Sequence, residues 1–167
     1  MKNLIVSFSI FIFSSVAFAD KNMKIGSKGN ENEISRIIKV IMYDNYYEPS
    51  SFQINAGETI KFEVENAGDL VHEFNIANKM MHMKHQPEME KMFDNEILFA
   101  DFIDKEKMKK MAKMDKSMGH SHSNSVLLEP KQKGEIIWKF DNAANIEIAC
   151  NVPGHYQAGM IALVNIK

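Results

Sequence analysis

The chain of 167 residues contains a single cysteine, and this scarcity excludes an internal disulfide. Acidic and basic residues nearly balance, with a net charge of −2, so the composition carries no signature of nucleic-acid binding. After residue 19, no segment is long and apolar enough to cross a bilayer. Against these absences stand six histidines and thirteen methionines, which is where the functional signal lies.

Residues 1–19 have the features of a secretory signal peptide. A positive residue stands near the start, residues 4–13 are mostly apolar, and the tripeptide at 17–19 fits the small-x-small cleavage pattern. A retained membrane anchor is the alternative, but the apolar run is short for a span. We therefore expect cleavage near Ala19 and Asp20, a periplasmic location, and no stable membrane insertion of the mature chain.

Alternating apolar and polar residues predict an all-β domain. Ile60, Phe62 and Val64 share one face of a predicted antiparallel strand over 59–65. Short strands at regular spacing, separated by Gly, Pro and Asn turns, favour a β-sandwich. The other strands are expected at 35–42, 52–54, 71–76, from 126 onward, and at 135–140, 145–150 and 160–166, with a turn at 46–51. We expect a flexible leader at 20–34 and one domain at 35–167, with an insertion at 77–124.

The segment Cys150-Asn-Val-Pro-Gly-His155-Tyr-Gln-Ala-Gly-Met160 holds three candidate metal ligands, with four residues between each and the next. A thiolate, an imidazole and a thioether are three of the four donors of a blue-copper site, and the fourth is usually a second histidine. His72, in Leu-Val-His-Glu-Phe, is the obvious candidate. Such donors favour copper over metals that prefer oxygen, although zinc can occupy the same donors in vitro.

Strand alternation places the Cys150 sulfur on the same inward face as two isoleucines, Ile146 and Ile148. The alternatives are a buried structural Cys150, a surface His72 at a strand end and a Met160 that only fills the core. An unprotected thiol is a liability in an oxidising compartment, which favours the ligand role for the cysteine. Asn66 and Asn151 are candidates to orient the imidazoles.

These motifs resemble those of the cupredoxin family, which includes plastocyanin, azurin and auracyanin. The resemblance covers 46–76 and 126–166, and its motifs are Tyr47-Glu-Pro-Ser-Ser-Phe52, Ala56-Gly-Glu-Thr-Ile60, Asn66-Ala-Gly68, His72-Glu-Phe74 and the loop from Cys150 to Met160. The equal gaps of that loop are more similar to auracyanin-type proteins than to plastocyanin. The resemblance implies a Greek-key sandwich with one type 1 copper bound by His72, Cys150, His155 and Met160. It also implies that electrons pass through His155, beside apolar docking residues such as Val152.

Residues 77–124 differ in kind from the rest, with nine methionines and four histidines. A helix is predicted over 101–118 and another over 87–93, which would begin at Pro87. Thioethers suit Cu(I) and imidazoles suit both copper states, so this segment supplies candidate ligands for secondary copper ions. Those candidates are Met80, Met81, His82, Met83, His85, His120 and His122.

A stripe of methionines lies along one face of the second predicted helix, at Met108, Met111, Met114 and Met118. Packing on the sandwich and metal handling are equally consistent with this stripe, because methionine commonly fills irregular cores. Docking of a partner protein is a third interpretation, since methionine-rich surfaces suit adaptable interfaces.

The preferred interpretation is a periplasmic copper protein that undergoes one-electron chemistry and serves copper tolerance through its insertion, whose composition resembles that of copper-resistance cupredoxins. The alternatives are a respiratory electron shuttle with a structural or docking insertion, and a copper chaperone without redox cycling. An enzyme is not expected, since the type 1 donor set leaves no open coordination position. We expect a monomer whose partner is a redox or copper-handling protein of the periplasm.

Overall fold

The computed structural model describes residues 24–141 and 145–167, so the predicted signal peptide lies outside the described residues. In chain order the described strands are β1 (Ser27–Lys28), β2 (Arg36–Tyr43), β3 (Tyr46–Glu48), β4 (Ser51–Ile54), β5 (Thr59–Asn66), β6 (His72–Asn78), β7 (Ser125–Leu128), β8 (Lys133–Lys139), β9 (Ile146–Ala149) and β10 (Ile161–Ile166). The helices are α1 (Lys79–Asp94) and α2 (Lys105–Ala112), with 3-10 turns at Glu31–Glu33 and Lys116–Gly119. No helix in the described part of the chain is long and apolar enough to span a membrane.

The strands form two five-stranded sheets, ordered β1-β8-β5-β2-β3 and β4-β10-β9-β6-β7. This confirms the predicted β-sandwich with a partly helical insertion. The sheets are mixed, because β2 pairs in parallel with β5 and β4 pairs in parallel with β10. The strand predicted over 59–65 is antiparallel to β8, as expected, and its other neighbour, β2, runs parallel to it.

An aromatic cluster lies between the two sheets and anchors the core. Phe62, on the central strand β5, is fully buried and packs against Phe52, Phe74 and Phe140 at ring-centroid distances of 5.7, 5.2 and 6.1 Å. Each aromatic pair of this kind contributes about 0.5–1.5 kcal/mol beyond the burial of its area. The apolar positions of the predicted strand alternation are thus the positions that hold the sheets together.

The start of the described chain is part of the first sheet, whereas we expected a flexible leader over 20–34. Ser27 and Lys28 pair with β8, and the indole Nε1 of Trp138 donates to the Ile25 carbonyl at 2.9 Å. Gly26 has a φ of +106°, and a Cβ there would lie 2.2 Å from a backbone oxygen of β8. The composition of this segment, which is rich in Gly, Asn and Lys, does not indicate a strand, and the strand with which it pairs lies far along the chain.

The segment predicted as a turn over 46–51 contains the short strand β3 and the cis Glu48–Pro49 bond.

The insertion begins with a longer helix than predicted. The side chain of Asn78 caps α1 by accepting the Met81 N–H at 2.9 Å, and Pro87 lies inside the helix instead of at its first position. Proline has no N–H to donate to the carbonyl of Met83, four residues earlier. Because Met83 lies on the exposed side of α1, this carbonyl faces solvent instead of the core. The second predicted helix is shorter than expected and is divided into α2 and a 3-10 turn.

Several methionines of the insertion belong to the main core. Met89, Met92 and Met118 are buried, and Met108 and Met111 pack partly buried against them. Met114, in contrast, is 72% exposed. The predicted methionine stripe is therefore mainly a packing surface, which anchors the insertion to the sandwich.

Replacing a core methionine of the insertion is expected to destabilise the whole domain. Met92→Ala removes a fully buried side chain and should lower the free energy of unfolding by about 2–5 kcal/mol. The matched exposed control, Met114→Ala, should change it by less than about 0.5 kcal/mol. Urea unfolding of the two variants checks this, and equal effects would show that the insertion does not pack as part of the core.

Candidate metal centre

The predicted ligand positions meet at one end of the sandwich. His72 is the first residue of β6, Cys150 directly follows β9, and these two strands are antiparallel neighbours. Met160 directly precedes β10, and the Cys150 N–H donates to the Met160 carbonyl at 3.2 Å, which closes the loop between them. The loop from 150 to 160 is thus held at its base by the pairing of β9 with β10.

Three donor atoms converge where this loop meets the start of β6. The His72 Nδ1 and His155 Nδ1 atoms are 3.2 Å apart, and the Cys150 Sγ atom lies 3.4 Å from His155 Nδ1 and 4.0 Å from His72 Nδ1. A point equidistant from the three atoms lies about 2.1 Å from each, which is close to the metal–nitrogen and metal–sulfur bond lengths of protein sites. The three side chains therefore surround a space of the right size for one metal ion.

Burial controls the protonation of these donors. It raises the pKa of the Cys150 thiol to about 12, even though the Glu73 N–H donates to the sulfur at 3.3 Å. Burial, together with the nearby His72, lowers the pKa of His155 to about 4, so this imidazole is neutral at pH 7. A metal ion requires a neutral imidazole and a thiolate, so His155 is ready to bind and Cys150 must first release its proton.

His72 is oriented by a residue that the sequence did not indicate. Its Nε2 atom is 2.8 Å from Asp44 Oδ1, which leaves Nδ1 to face the other donors. The Asp44 carboxylate is held in turn by the N–H groups of Asp69 and Leu70 at 3.1–3.2 Å. A carboxylate on the outer nitrogen of a ligating histidine fixes its tautomer and raises its basicity.

The two asparagines that we considered as orienting residues have other partners. Asn66 donates to the Leu70 and Leu128 carbonyls at 2.8 and 2.9 Å and so shapes the turn before β6. Asn151 contacts Glu73 and His82 instead of the imidazoles of His72 and His155. Met160 is fully buried, and its backbone carbonyl accepts the Cys150 N–H. Its role as an axial ligand stays a prediction.

Glu73 forms a second polar centre next to the first. Its carboxylate is fully buried, and Oε2 accepts the backbone N–H and the side-chain Nδ2 of Asn151 at 3.2 and 2.7 Å. Oε1 lies 3.1 Å from His85 Nε2 and 2.8 Å from His120 Nε2. Burial alone would raise the pKa of Glu73, but the hydrogen bonds with these histidines hold it well below its usual range. The same contacts raise the pKa of His85 to about 9 against the opposing effect of its own burial.

Helix α1 separates the candidate ligands for secondary copper that stand together in the sequence. Successive residues of a helix point in directions about 100° apart. His82 is therefore buried against Asn151, Met80 and Met83 are exposed, and His85 faces His120 and His122. Met81 lines a cavity that His85 and His122 also border. The structure thus brings together three of the predicted histidines with two glutamates, and Met81 borders the same cavity while Met80 and Met83 are exposed.

Comparisons with known proteins identify relatives of this chain. A family model described as a cupredoxin-like domain matches residues 4–101. The copper-resistant cuproprotein CopI of Pseudomonas aeruginosa is 37% identical over an alignment that covers 99% of this chain and 94% of that protein. The protein of the same name from Rubrivivax gelatinosus is 28% identical, with coverages of 89% and 76%.

Solved structures support the fold alone. Auracyanin B superimposes with a TM-score of 0.59 at 13% identity and covers 87% of this chain and 99% of its own. Reduced auracyanin from Roseiflexus castenholzii gives a TM-score of 0.56 at 17% identity, with coverages of 80% and 98%. At these identities, the likeness is one of architecture.

The Cys150 thiol of the metal-free protein is expected to resist alkylation. The side chain is fully buried, and a pKa of about 12 leaves roughly one molecule in ten thousand as thiolate at pH 8. Iodoacetamide should therefore label the folded protein at least about a hundredfold more slowly than the same protein in urea. Mass spectrometry of the labelled chain gives both rates, and comparable rates would contradict the closed geometry around the sulfur.

Proposed function

The chain belongs to the cupredoxin-like family, and from this premise we propose that it binds one copper ion through His72, Cys150, His155 and Met160 and serves copper tolerance in the periplasm. The observation that carries the proposal is the convergence of one thiol sulfur and two imidazole nitrogens around a single point about 2.1 Å from each. A His₂Cys set with a soft thioether nearby is the donor set that suits copper.

The residues of the site have separate tasks. Cys150 releases its proton and supplies the thiolate, and the Glu73 N–H donates to its sulfur. Asp44 holds the ring of His72, so that Nδ1 keeps its direction in both oxidation states. When bound, copper supplies a one-electron couple. A frame that changes little between the two states keeps the cost of electron transfer low.

Electron exchange is proposed to pass through the loop histidine. His155 is half-buried, and Gly154, Gln157 and Ala158 around it are exposed. Val152, which we expected to form part of the docking patch, is only 6% exposed and packs in the core instead, so it is not available to a partner. We propose a redox or copper-handling protein of the periplasm as the partner of this surface.

Copper tolerance is preferred to a role as a respiratory shuttle because of the relatives. The relative from Pseudomonas aeruginosa that is named for copper resistance aligns over 99% of this chain, whereas the likeness to auracyanins is one of fold only. We propose that the histidines of the insertion collect copper near the first centre. In this account the protein is a copper binder and electron carrier instead of an enzyme.

Growth of the host on copper tests this function. A strain that lacks the gene should regain copper tolerance with the wild-type gene and not with Cys150→Ser, because the variant loses the thiolate ligand. Met114→Ala, which changes an exposed methionine of the insertion, serves as the matched control and should restore growth. Equal growth of the strains with wild-type and Cys150→Ser protein would contradict a role of this site in tolerance.

Copper binding through the thiolate is expected to produce an intense visible absorption band. Addition of one equivalent of Cu(II) to the mature wild-type protein should give this band, and Cys150→Ser should abolish it, because the band requires sulfur-to-copper charge transfer. The control Met118→Leu, which replaces another buried methionine far along the insertion, should keep the band at its wild-type intensity. Persistence of the band in Cys150→Ser would refute the assignment of the sulfur ligand.

A further inference from the structure

Glu73, His85 and His120 form a cluster that the first centre does not use. Glu73 lies on β6, His85 on α1, and His120 directly after the 3-10 turn at Lys116–Gly119. Three separate segments therefore bring one carboxylate oxygen and two imidazole nitrogens together, with both nitrogens 2.8–3.1 Å from the oxygen. All three donor atoms lie within 4.8 Å of one another.

We propose that these three residues form a second metal site, which takes a divalent transition-metal ion and above all Cu(II). The site stands on the geometry of its own side chains, while its effect on the first centre rests on the proposed function. It deepens the proposed collection of copper by the histidines of the insertion, since it selects His85 and His120 and adds the buried carboxylate of Glu73 as their partner.

The histidine from α1 is prepared for ligation by its other nitrogen. His85 Nδ1 lies 2.8 Å from Glu88 Oε2, so a proton on Nδ1 is held by that carboxylate and Nε2 is directed at Glu73. Ligating histidines in proteins are usually fixed in this way by a carboxylate on the outer nitrogen. One protonated histidine is enough to neutralise the carboxylate of Glu73. A structural ion pair therefore does not require the second histidine that lies on Oε1.

A metal ion can reach the cluster from solvent. A cavity of about 280 Å³ is bordered by His85, Glu88 and His122, and a hydrated ion is small by comparison. The ring of His122 lies 5.0 Å from that of His85 and 5.3 Å from that of His120, measured between centroids. His85, Glu88 and His122 form an overlapping donor group at this opening, where an incoming ion can be held before it moves inward.

The donor set decides the class of metal. Two imidazoles and one carboxylate suit borderline divalent ions, and Cu(II) binds such donors more tightly than Zn(II) or the earlier first-row ions. Since no thiolate belongs to this cluster, Cu(II) bound there lacks the intense visible band of the first centre. The two sites can therefore be distinguished by spectroscopy.

The Glu73 residue links the two sites directly. Oε1 faces the histidines, Oε2 holds Asn151 next to the loop cysteine, and the Glu73 N–H donates to the Cys150 sulfur at 3.3 Å. A divalent cation on Oε1 offsets the negative charge beside the thiolate. Because the reduced copper centre carries one positive charge less than the oxidised one, a nearby cation favours reduction, and filling the second site raises the reduction potential of the first.

Cu(II) titration of a Cys150→Ser, His155→Gln protein, which lacks two of the four proposed ligands of the first centre, tests the second site on its own. We expect one Cu(II) per chain by equilibrium dialysis, with an electron paramagnetic resonance signal of nitrogen and oxygen ligation and no intense visible band. In this double-variant background, His85→Gln and His120→Gln should each weaken this binding at least about tenfold. Glutamine still offers an N–H to Glu73, so the fold is retained, and a thermal unfolding midpoint verifies this for each variant.

The control in the same helix is Lys79→Gln, which changes an exposed side chain outside the cluster and should leave Cu(II) affinity unchanged. Absence of Cu(II) binding by the Cys150→Ser, His155→Gln protein, or an undiminished affinity when either His85→Gln or His120→Gln is added to it, would overturn the second site. If the wild-type protein formed no visible band on addition of Cu(II), the proposed function would be overturned instead. The two failures are therefore distinguishable.

The link between the sites is tested with Zn(II), which does not change oxidation state. The reduction potential of the copper-loaded wild-type protein should shift upward when Zn(II) is added, and His120→Gln should remove most of this shift. No shift in the wild-type protein, or the same shift in His120→Gln, would overturn the link.

Discussion

The buried carboxylate of Glu73 is the interaction on which the arrangement of both candidate centres depends. A charge in a protein interior is costly unless hydrogen bonds and opposite charges surround it. Glu73 meets this requirement through Asn75, Asn151, His85 and His120, which belong to β6, the ligand loop, α1 and the end of the insertion. The carboxylate therefore ties the ligand loop, α1 and the end of the insertion to β6 through buried hydrogen bonds.

The rigidity of the first centre follows from the same arrangement. His72 and Glu73 are neighbours on β6. The imidazole of His72 faces the other donor atoms, and the backbone N–H of Glu73 donates to the Cys150 sulfur. Asp44 fixes the outer nitrogen of His72 from the turn between β2 and β3. Met89, Met92 and Met118 of the insertion are part of the domain core, so the insertion is an integral part of the domain instead of a tethered tail.

Local patterns in the sequence predicted part of this structure. Alternation along β5 and β9 identified buried positions, including that of Cys150, and donor spacing identified the residues that converge. Asp44 and Glu73 escaped prediction because their partners lie 28 and 47 residues away, and no local pattern encodes such contacts. The first half of α1 was missed because its methionines and histidines lack apolar periodicity, and the helix is stabilised by its Asn78 cap and its packing.

We propose above all that one sulfur and two imidazoles from these positions bind copper in the folded protein. X-ray absorption spectroscopy at the copper edge, on wild-type protein loaded with one equivalent of copper, measures this most directly. We predict one short copper–sulfur contact, two copper–nitrogen contacts and a longer distance from copper to the Met160 sulfur. A first shell of nitrogen and oxygen atoms without sulfur would contradict it.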